Sequence, residues 1–138
     1  RCIFSIMAAR LSMEDKALHY FGNSAHLDLL NLHKNTKDGI HVANMGGTYM
    51  SIVYGFGGFK LKEEGIFFSP MLPSTWRSYS FEVCYEDSRI LVDITEKECI
   101  FELEQGSPKE IFIYGESYYL EEVLKVPLQC SWRDEGGK

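Results

Sequence analysis

The sequence predicts an α+β chain, a short set of packed helices followed by a small antiparallel β-unit. Three observations predict it. Up to about residue 59 the apolar residues recur at i, i+3 and i+4, the period of a helix with one buried stripe. From Lys60 onward they alternate, the period of a strand. Formal charge divides at the same place. Residues 1–60 carry six Lys and Arg against four Asp and Glu (+2), and residues 61–138 carry eight against sixteen (−8). Two surfaces and two structural units follow, with boundaries expected at 1–60, 61–125 and a tail over 126–138.

The first helix is predicted from Ile3, Phe4, Met7, Ala8 and Leu11, which fall on one stripe expected to be buried. Ser12 before Met13-Glu14-Asp15 has the composition of an N-cap, with carboxylates facing the positive end of a second helix. That helix buries Ala17, Leu18 and Phe21, and the apolar segment continues through Ala25, Leu27, Leu29, Leu30 and Leu32. Lys34-Asn35-Thr36-Lys37-Asp38-Gly39 is a turn by composition. Residues 40–59 mix Ala43, Gly46, Gly47 and Ser51 with Met, Ile, Val and Tyr. Glycine lowers helix propensity, so these positions imply close approach to neighbours, and Gly55, Gly57 and Gly58 end the helix. In the second half a short strand, 65–69, stops at Pro70, and 71–76 reads as a proline-punctuated loop. Alternating runs at 79–85, 89–94, 99–103 and 110–114, separated by polar turns, predict an antiparallel meander with 118–120 as an edge strand.

Composition narrows the function. A net charge of −6 with no basic cluster gives no nucleic-acid footprint, and the longest apolar run is too short to span a bilayer. The opening residues, Arg1 to Arg10, lack the long apolar core of a signal peptide, and the chain starts on Arg rather than Met, a hint of truncation. Cys2, Cys84, Cys99 and Cys130 are widely spaced without a C-x-x-C pair, which favours reduced thiols over a zinc site or a disulfide framework. His19, His26 and His33 are spaced by seven, too far apart along a helix to share an ion, so they read as partly exposed helix histidines. His41 opens a predicted helix among small residues. It is either a buried, hydrogen-bonded side chain or part of an anion site beside free backbone N–H groups. Glycoside cleavage needs two opposed carboxyl groups, or one and an external nucleophile, and no such pair stands out. Gly55-x-Gly57-Gly58 lacks the strand, helix and Lys of a phosphate loop.

Asp38-Gly39-Ile40-His41-Val42-Ala43-Asn44-Met45-Gly46-Gly47-Thr48, Tyr54-Gly55-Phe56-Gly57-Gly58-Phe59, Ser69-Pro70-Met71-Leu72-Pro73 and Trp76-Arg77-Ser78-Tyr79-Ser80-Phe81 together resemble glycoside hydrolase family 65, in the expected order from about Cys2 to Leu120. That family contains the maltose, kojibiose, nigerose and trehalose phosphorylases. The resemblance implies the last helices of a catalytic (α/α)6 barrel over 1–60 and a small C-terminal β-sheet or sandwich domain over 61–125. It implies an inverting phosphorolysis, in which a Glu acid protonates the glycosidic oxygen while inorganic phosphate attacks the anomeric carbon and yields β-glucose 1-phosphate. His41 matches the family's phosphate-binding histidine, and Gly39 and Asn44 are its neighbours. The acid Glu and a paired-Ser phosphate loop are expected upstream of Arg1, so no catalytic residue is expected in this chain, which by itself should be inactive. The implied partners are a disaccharide, phosphate and the upstream part of the enzyme, in a cytoplasmic homodimer without metal or cofactor.

Two other readings are a family 65 hydrolase and a non-catalytic module, either carbohydrate-binding or structural. The module would gather exposed aromatics on one sheet face, with Tyr79, Tyr85, Tyr114, Tyr118 and Trp132 as candidates whose alternative role is packing. If the helices belong to a barrel, the chain alone should expose their apolar face.

Overall fold

The computed structural model describes residues 2–25 and 42–131, in two compact units, 1–56 and 57–138. Each is built around its own core. The expected apolar continuation over 26–32, the turn at 34–39 and the C-terminal residues 132–138 lie outside the described residues.

The first unit contains α1 (Cys2–Arg10), α2 (Glu14–Ala25) and α3 (Val42–Met50), the last running into a π-helical stretch, Ser51–Phe56. The link between α1 and α2 departs from the expectation. Ser12 is in the left-handed region, at φ 56°. Its N–H donates to the Ala9 carbonyl at 3.0 Å and the Met13 N–H to the Ala8 carbonyl at 2.8 Å. That pair of bonds is a Schellman closure of α1, with Ser12 in the place glycine usually takes. The Met13 carbonyl then accepts from Ala17 N–H at 2.9 Å, so Met13 rather than Ser12 is the half-in residue that starts α2. Glu14 and Asp15 occupy its first turn, where the helix dipole favours negative charge. Gly22 and Asn23 do not interrupt it; Asn23 Nδ2 lies 3.0 Å from His19 Nε2, one turn back.

Of the predicted stripe on α1 only Ala8 is buried. Ser5, Ala8 and Ala9 are buried, whereas Ile3, Phe4, Met7 and Leu11 are 68%, 60%, 52% and 66% exposed. Helix contacts are made through small residues. Ser5 Oγ donates to the Ala17 carbonyl at 2.9 Å, and Ser24 Oγ meets Thr48 Oγ1 at 3.2 Å. A Cβ added at Gly55 would stand 3.3 Å from Ile6 Cα, so this glycine sets how closely the π-helical stretch approaches α1. The stretch begins at Ser51, whose Oγ donates to the Gly47 carbonyl at 3.0 Å, a back-bond that competes with the regular backbone ladder. Phe56 is fully buried, with the ring of Phe21 edge-on at 5.7 Å.

Among the described residues the second unit has ten strands: β1 (Lys60–Lys62), β2 (Gly65–Phe68), β3 (Met71–Leu72), β4 (Ser78–Tyr85), β5 (Ser88–Thr95), β6 (Glu98–Gln105), β7 (Lys109–Ile113), β8 (Glu116–Leu120), β9 (Val123–Pro127) and β10 (Cys130–Ser131). They form two four-stranded sheets, ordered β1-β2-β7-β8 and β4-β5-β6-β9, and a short β10-β3 pair. The expected single meander holds only for β4, β5 and β6. The chain then crosses to the other sheet as the β7-β8 hairpin and returns as β9 against β6. Two pairings are parallel, β2 with β7 and β3 with β10, where only antiparallel ones were expected. The segment 71–76 is therefore partly strand, and β9 runs through residue 127, past the boundary expected at 125.

Alternation decides the burial. Ser88, Ile90, Val92 and Ile94 of β5 face inward, as do Cys99 and Phe101 of β6. The other sheet contributes Ile66, Phe68, Ile111, Ile113 and Leu120. The layers meet at Phe68 and Phe101, ring centroids 5.0 Å apart at 65°, a favourable edge-to-face arrangement.

The crossover is fixed by polar contacts. Asp87 accepts from Ser107 N–H at 3.0 Å, from Ser107 Oγ at 2.6 Å and from Lys109 Nζ at 3.1 Å. Ser88 Oγ donates to the Ser107 carbonyl at 3.0 Å, and Lys109 also reaches Glu86 at 3.1 Å. Gly106, at φ 96°, leaves no room for a side chain, because a Cβ there would collide with the Asp87 carbonyl. The hydrogen bonds from Ser107 and Lys109 hold the Asp87 carboxyl well below the usual carboxylate range. Burial pulls the Lys109 ammonium down, but Asp87 and Glu86 outweigh it and hold it up.

Two outcomes are expected. Phe101→Ala should destabilise the β-unit by about 3–5 kcal/mol in urea unfolding, the range for removing a large buried ring. Asp87 has a depressed folded pKa, so its contribution is present above the unfolded value of about 3.9 and fades as pH falls below it. Wild type should therefore exceed Asp87→Asn in urea midpoint at pH 6–7, and the gap should close progressively on acidification below roughly pH 4. A gap independent of pH would contradict the assignment.

Candidate functional site

His41 and Gly39 lie outside the described residues. Asn44 is in the first turn of α3, which starts at Val42, immediately after His41. No acidic residue stands in that first turn. The positive end of the helix dipole is thus not offset there by a carboxylate of its own, as an anion site at this position requires. The C-terminal half of α3 is tied into the unit by Ser24 Oγ on Thr48 and by Ser51 on Gly47.

Among the described residues the carboxylates do not form an opposed pair in a cleft. Glu82 and Glu104 interact on the exposed face of the β4-β5-β6-β9 sheet. The Glu104 carboxyl is raised, first by loss of surrounding water, then by its hydrogen bond with Glu82 and that group's charge, while Arg89 acts in the opposite direction. An open sheet surface does not exclude water or enclose a sugar ring, so this pair is not an acid and base flanking a glycosidic bond. No group of three or more His, Cys, Asp and Glu side chains suited to a metal ion converges among the described residues, and no described helix is long and apolar enough to cross a membrane.

The aromatic candidates do not gather on one face. Tyr79 donates its hydroxyl to the Met71 carbonyl at 2.7 Å, and burial pushes its pKa well up. Tyr114 donates to the Pro70 carbonyl at 2.5 Å, accepts from Gln129 N–H at 3.3 Å and lies 3.7 Å from Cys99 Sγ. These two tyrosines pin the Pro70–Met71 backbone, and β10 pairs with the same segment. Tyr85 sits under Lys109 Nζ at 5.3 Å, Tyr118 bonds Glu116 at 3.2 Å, and Trp132 lies outside the described residues. The ring pair that sequence reading missed is Phe67 with Phe112, stacked at 4.4 Å and 8° across the parallel β2-β7 register. Each ring covers a face of the other, and Lys62 Nζ lies over Phe67 at 4.4 Å, so Phe67 presents no open platform to a sugar. Only the long-range β2-β7 pairing brings these two residues together, and no local pattern announces it.

Tyr114 occupies a two-residue hairpin loop with Gly115, both at positive φ. Glycine or asparagine suits such a turn; a tyrosine is strained there and is retained by its hydroxyl contacts.

Two descriptions match the chain in succession. Residues 1–50 match the central catalytic domain of glycosyl hydrolase family 65, and residues 59–120 match that family's C-terminal domain. The helical unit and the β-unit thus correspond to two successive domains of one glycosyl hydrolase family. Over 119 residues the chain is 47% identical to an α,α-trehalose phosphorylase of Geobacillus stearothermophilus and 39% identical to a maltose phosphorylase of Bacillus subtilis, in each case over 86% of this chain and 16% of the relative. A solved structure of a human-microbiome protein assigned as a kojibiose phosphorylase superposes with a TM-score of 0.84 at 29% identity, over 91% of this chain and 17% of that one. The chain belongs to glycoside hydrolase family 65, and it spans about a sixth of the length of these relatives.

Tyr114→Phe should cost about 1–3 kcal/mol in urea unfolding, because the Pro70 carbonyl and the Gln129 N–H lose their partner. It should also speed hydrogen exchange at residues 70–72 more than in β5. Uniform exchange changes across both sheets would contradict the pinning role.

Proposed function

We propose that this chain is the C-terminal part of an inverting α-glucoside phosphorylase, which cleaves a disaccharide with inorganic phosphate to give β-glucose 1-phosphate and a free sugar. The observation that carries the reading is the 47% identity to a trehalose phosphorylase, running through both units. On this reading residues 1–60 supply the last helices of the (α/α)6 barrel and residues 61–125 the C-terminal β-domain. The acid Glu and the paired-Ser phosphate loop belong to the upstream part. His41 contacts the attacking phosphate at the start of α3, with Gly39 and Asn44 beside it. A histidine near backbone N–H groups holds an anion through charge-assisted bonds, which orients the nucleophile against the anomeric carbon. The intact enzyme acts as a cytoplasmic homodimer.

The exposed apolar side of α1 supports the barrel reading, since a self-contained domain does not place Ile3, Phe4, Met7 and Leu11 in water while burying Ser5 and Ala8. The covered faces of Phe67 disfavour that ring as a sugar-stacking site.

The test is to join this chain to the upstream part of the Geobacillus relative and assay trehalose, maltose and kojibiose with and without phosphate. Release of β-glucose 1-phosphate only with phosphate is expected; equal glucose release without phosphate would identify a hydrolase. In an active fusion, His41→Ala should raise KM for phosphate by roughly 10- to 100-fold, the worth of one hydrogen bond to a charged group. The KM for the disaccharide should move far less.

A further inference from the structure

A depression of about 720 Å³ opens at one end of the β4-β5 pair, lined by Arg77, Ser78, Thr95, Glu96 and Lys97. Strand register builds it. Ser78 at the start of β4 stands opposite Thr95 at the end of β5, so Arg77 leads into one strand where Glu96 and Lys97 leave the other. Both arms are held by hydrogen bonds. On the β4 side Trp76 N–H donates to the Pro73 carbonyl at 3.0 Å, and the Tyr79 hydroxyl donates to the Met71 carbonyl at 2.7 Å. In the turn after β5, Thr95 Oγ1 donates to the Glu98 carbonyl at 3.0 Å and accepts from Glu98 N–H at 3.1 Å. Leu128 N–H holds the Lys97 carbonyl at 3.0 Å.

Charge here runs against the trend of the unit. Residues 61–138 carry eight Lys and Arg against sixteen Asp and Glu, yet the depression has two cations and one carboxylate. Elsewhere in the unit Lys109 is engaged by Glu86 and Asp87, Lys62 lies over the Phe67 ring, and Arg89 faces Glu104. The Arg77 guanidinium, the Lys97 ammonium and the Ser78 hydroxyl have no hydrogen-bond or ion-pair partner among the described residues. Three donors thus stand unengaged on a fixed backbone frame around one opening.

The lining selects the ligand. The volume falls within the range of about 300–1,000 Å³ typical of small-molecule sites, more than a single oxyanion fills. None of the lining residues is aromatic, so a neutral sugar has no ring face to stack on. A bare anion meets the Glu96 carboxylate, which repels it. A molecule with both a phosphate and hydroxyl groups satisfies every lining group. The Arg77 fork and the Lys97 ammonium take the phosphate oxygens through charge-assisted bonds, and Glu96 accepts from the hydroxyls. We infer that this depression at the end of β4 and β5 is a binding site for a sugar phosphate, held at its phosphate by Arg77 and Lys97 and at its hydroxyls by Glu96 and Ser78. Binding there holds or fails whatever reaction the upstream part catalyses.

Amide shift mapping on the 15N-labelled 138-residue chain tests this, with His41→Ala in place to remove the other candidate phosphate ligand. Glucose 6-phosphate is the probe, and inorganic phosphate and glucose are titrated separately. Saturable shifts are expected at 77–78 and 95–97 with glucose 6-phosphate, none with glucose, and roughly tenfold weaker binding of inorganic phosphate, which makes no hydroxyl contacts. The amides of Ile90, Val92 and Phe101 in the core should not move. Arg77 and Lys97 are exposed, so their substitution leaves the fold intact. Arg77→Gln and, separately, Lys97→Gln should each weaken glucose 6-phosphate by about tenfold or more. Glu96→Ala should bring the preference for glucose 6-phosphate over inorganic phosphate close to one. Inorganic phosphate binding as tightly as glucose 6-phosphate in the parent chain overturns the site, leaving a simple anion patch. An equal response to glucose also overturns it, by identifying a neutral saccharide as occupant. So does an absence of shifts at 77–78 and 95–97, or binding that Arg77→Gln and Lys97→Gln both leave unchanged.

Discussion

The approach of Gly55 to the backbone of Ile6 is the constraint on which the helical unit rests. With no side chain at 55, the π-helical stretch sits against α1, and only small groups fit between them. Ala9 lines that contact and Ser5 turns to the Ala17 carbonyl of α2, so the buried side of α1 is taken by residues that contribute little apolar area. The larger side chains of the helix are left on the other side. A sequence that spends its smallest residues on the local contact and its largest on an open face suits a helix with neighbours on two sides, as a barrel helix has.

The β-unit is governed by a different contact. Phe68 and Phe101 join the two layers, and around them the alternating positions of β5, β6 and β7 close a core of Ile, Val and Phe. Polar pins then fix what the core does not. Asp87 ties the β4-β5 turn to the crossover at Ser107 and Lys109, and Tyr79 and Tyr114 hold the carbonyls of Met71 and Pro70. Each pin replaces a backbone partner that an irregular segment lacks, which is how a proline-punctuated stretch becomes a defined piece of structure.

Much of this is legible from local pattern. The period-two runs locate β4 to β8 within a residue or two, because a half-buried strand must alternate whatever its partner. The i, i+3, i+4 spacing locates α1 and α2 for the same kind of reason. The pattern misleads at α1, where it predicts which residues share a face but not which face is covered by this chain. Ser12 shows a related limit. Its composition suits the start of one helix, and its conformation closes the other, because the Schellman bonds from residues 12 and 13 satisfy the Ala9 and Ala8 carbonyls first. For the candidate site, the sequence supplies His41, Gly39 and Asn44 through family resemblance, and the described structure adds the carboxylate-free start of α3 beside them.

By itself the sequence determined the two-part division, the order of helices and strands, and membership of a glycoside-cleaving family, since each depends on residues near one another in the chain. Only tertiary structure decided the parallel β2-β7 and β3-β10 pairings, the stacking of Phe67 on Phe112, the tyrosine pins and the outward turn of the apolar stripe on α1. These depend on contacts between residues far apart in sequence, whose geometry is set by how the chain closes on itself rather than by any periodicity along it.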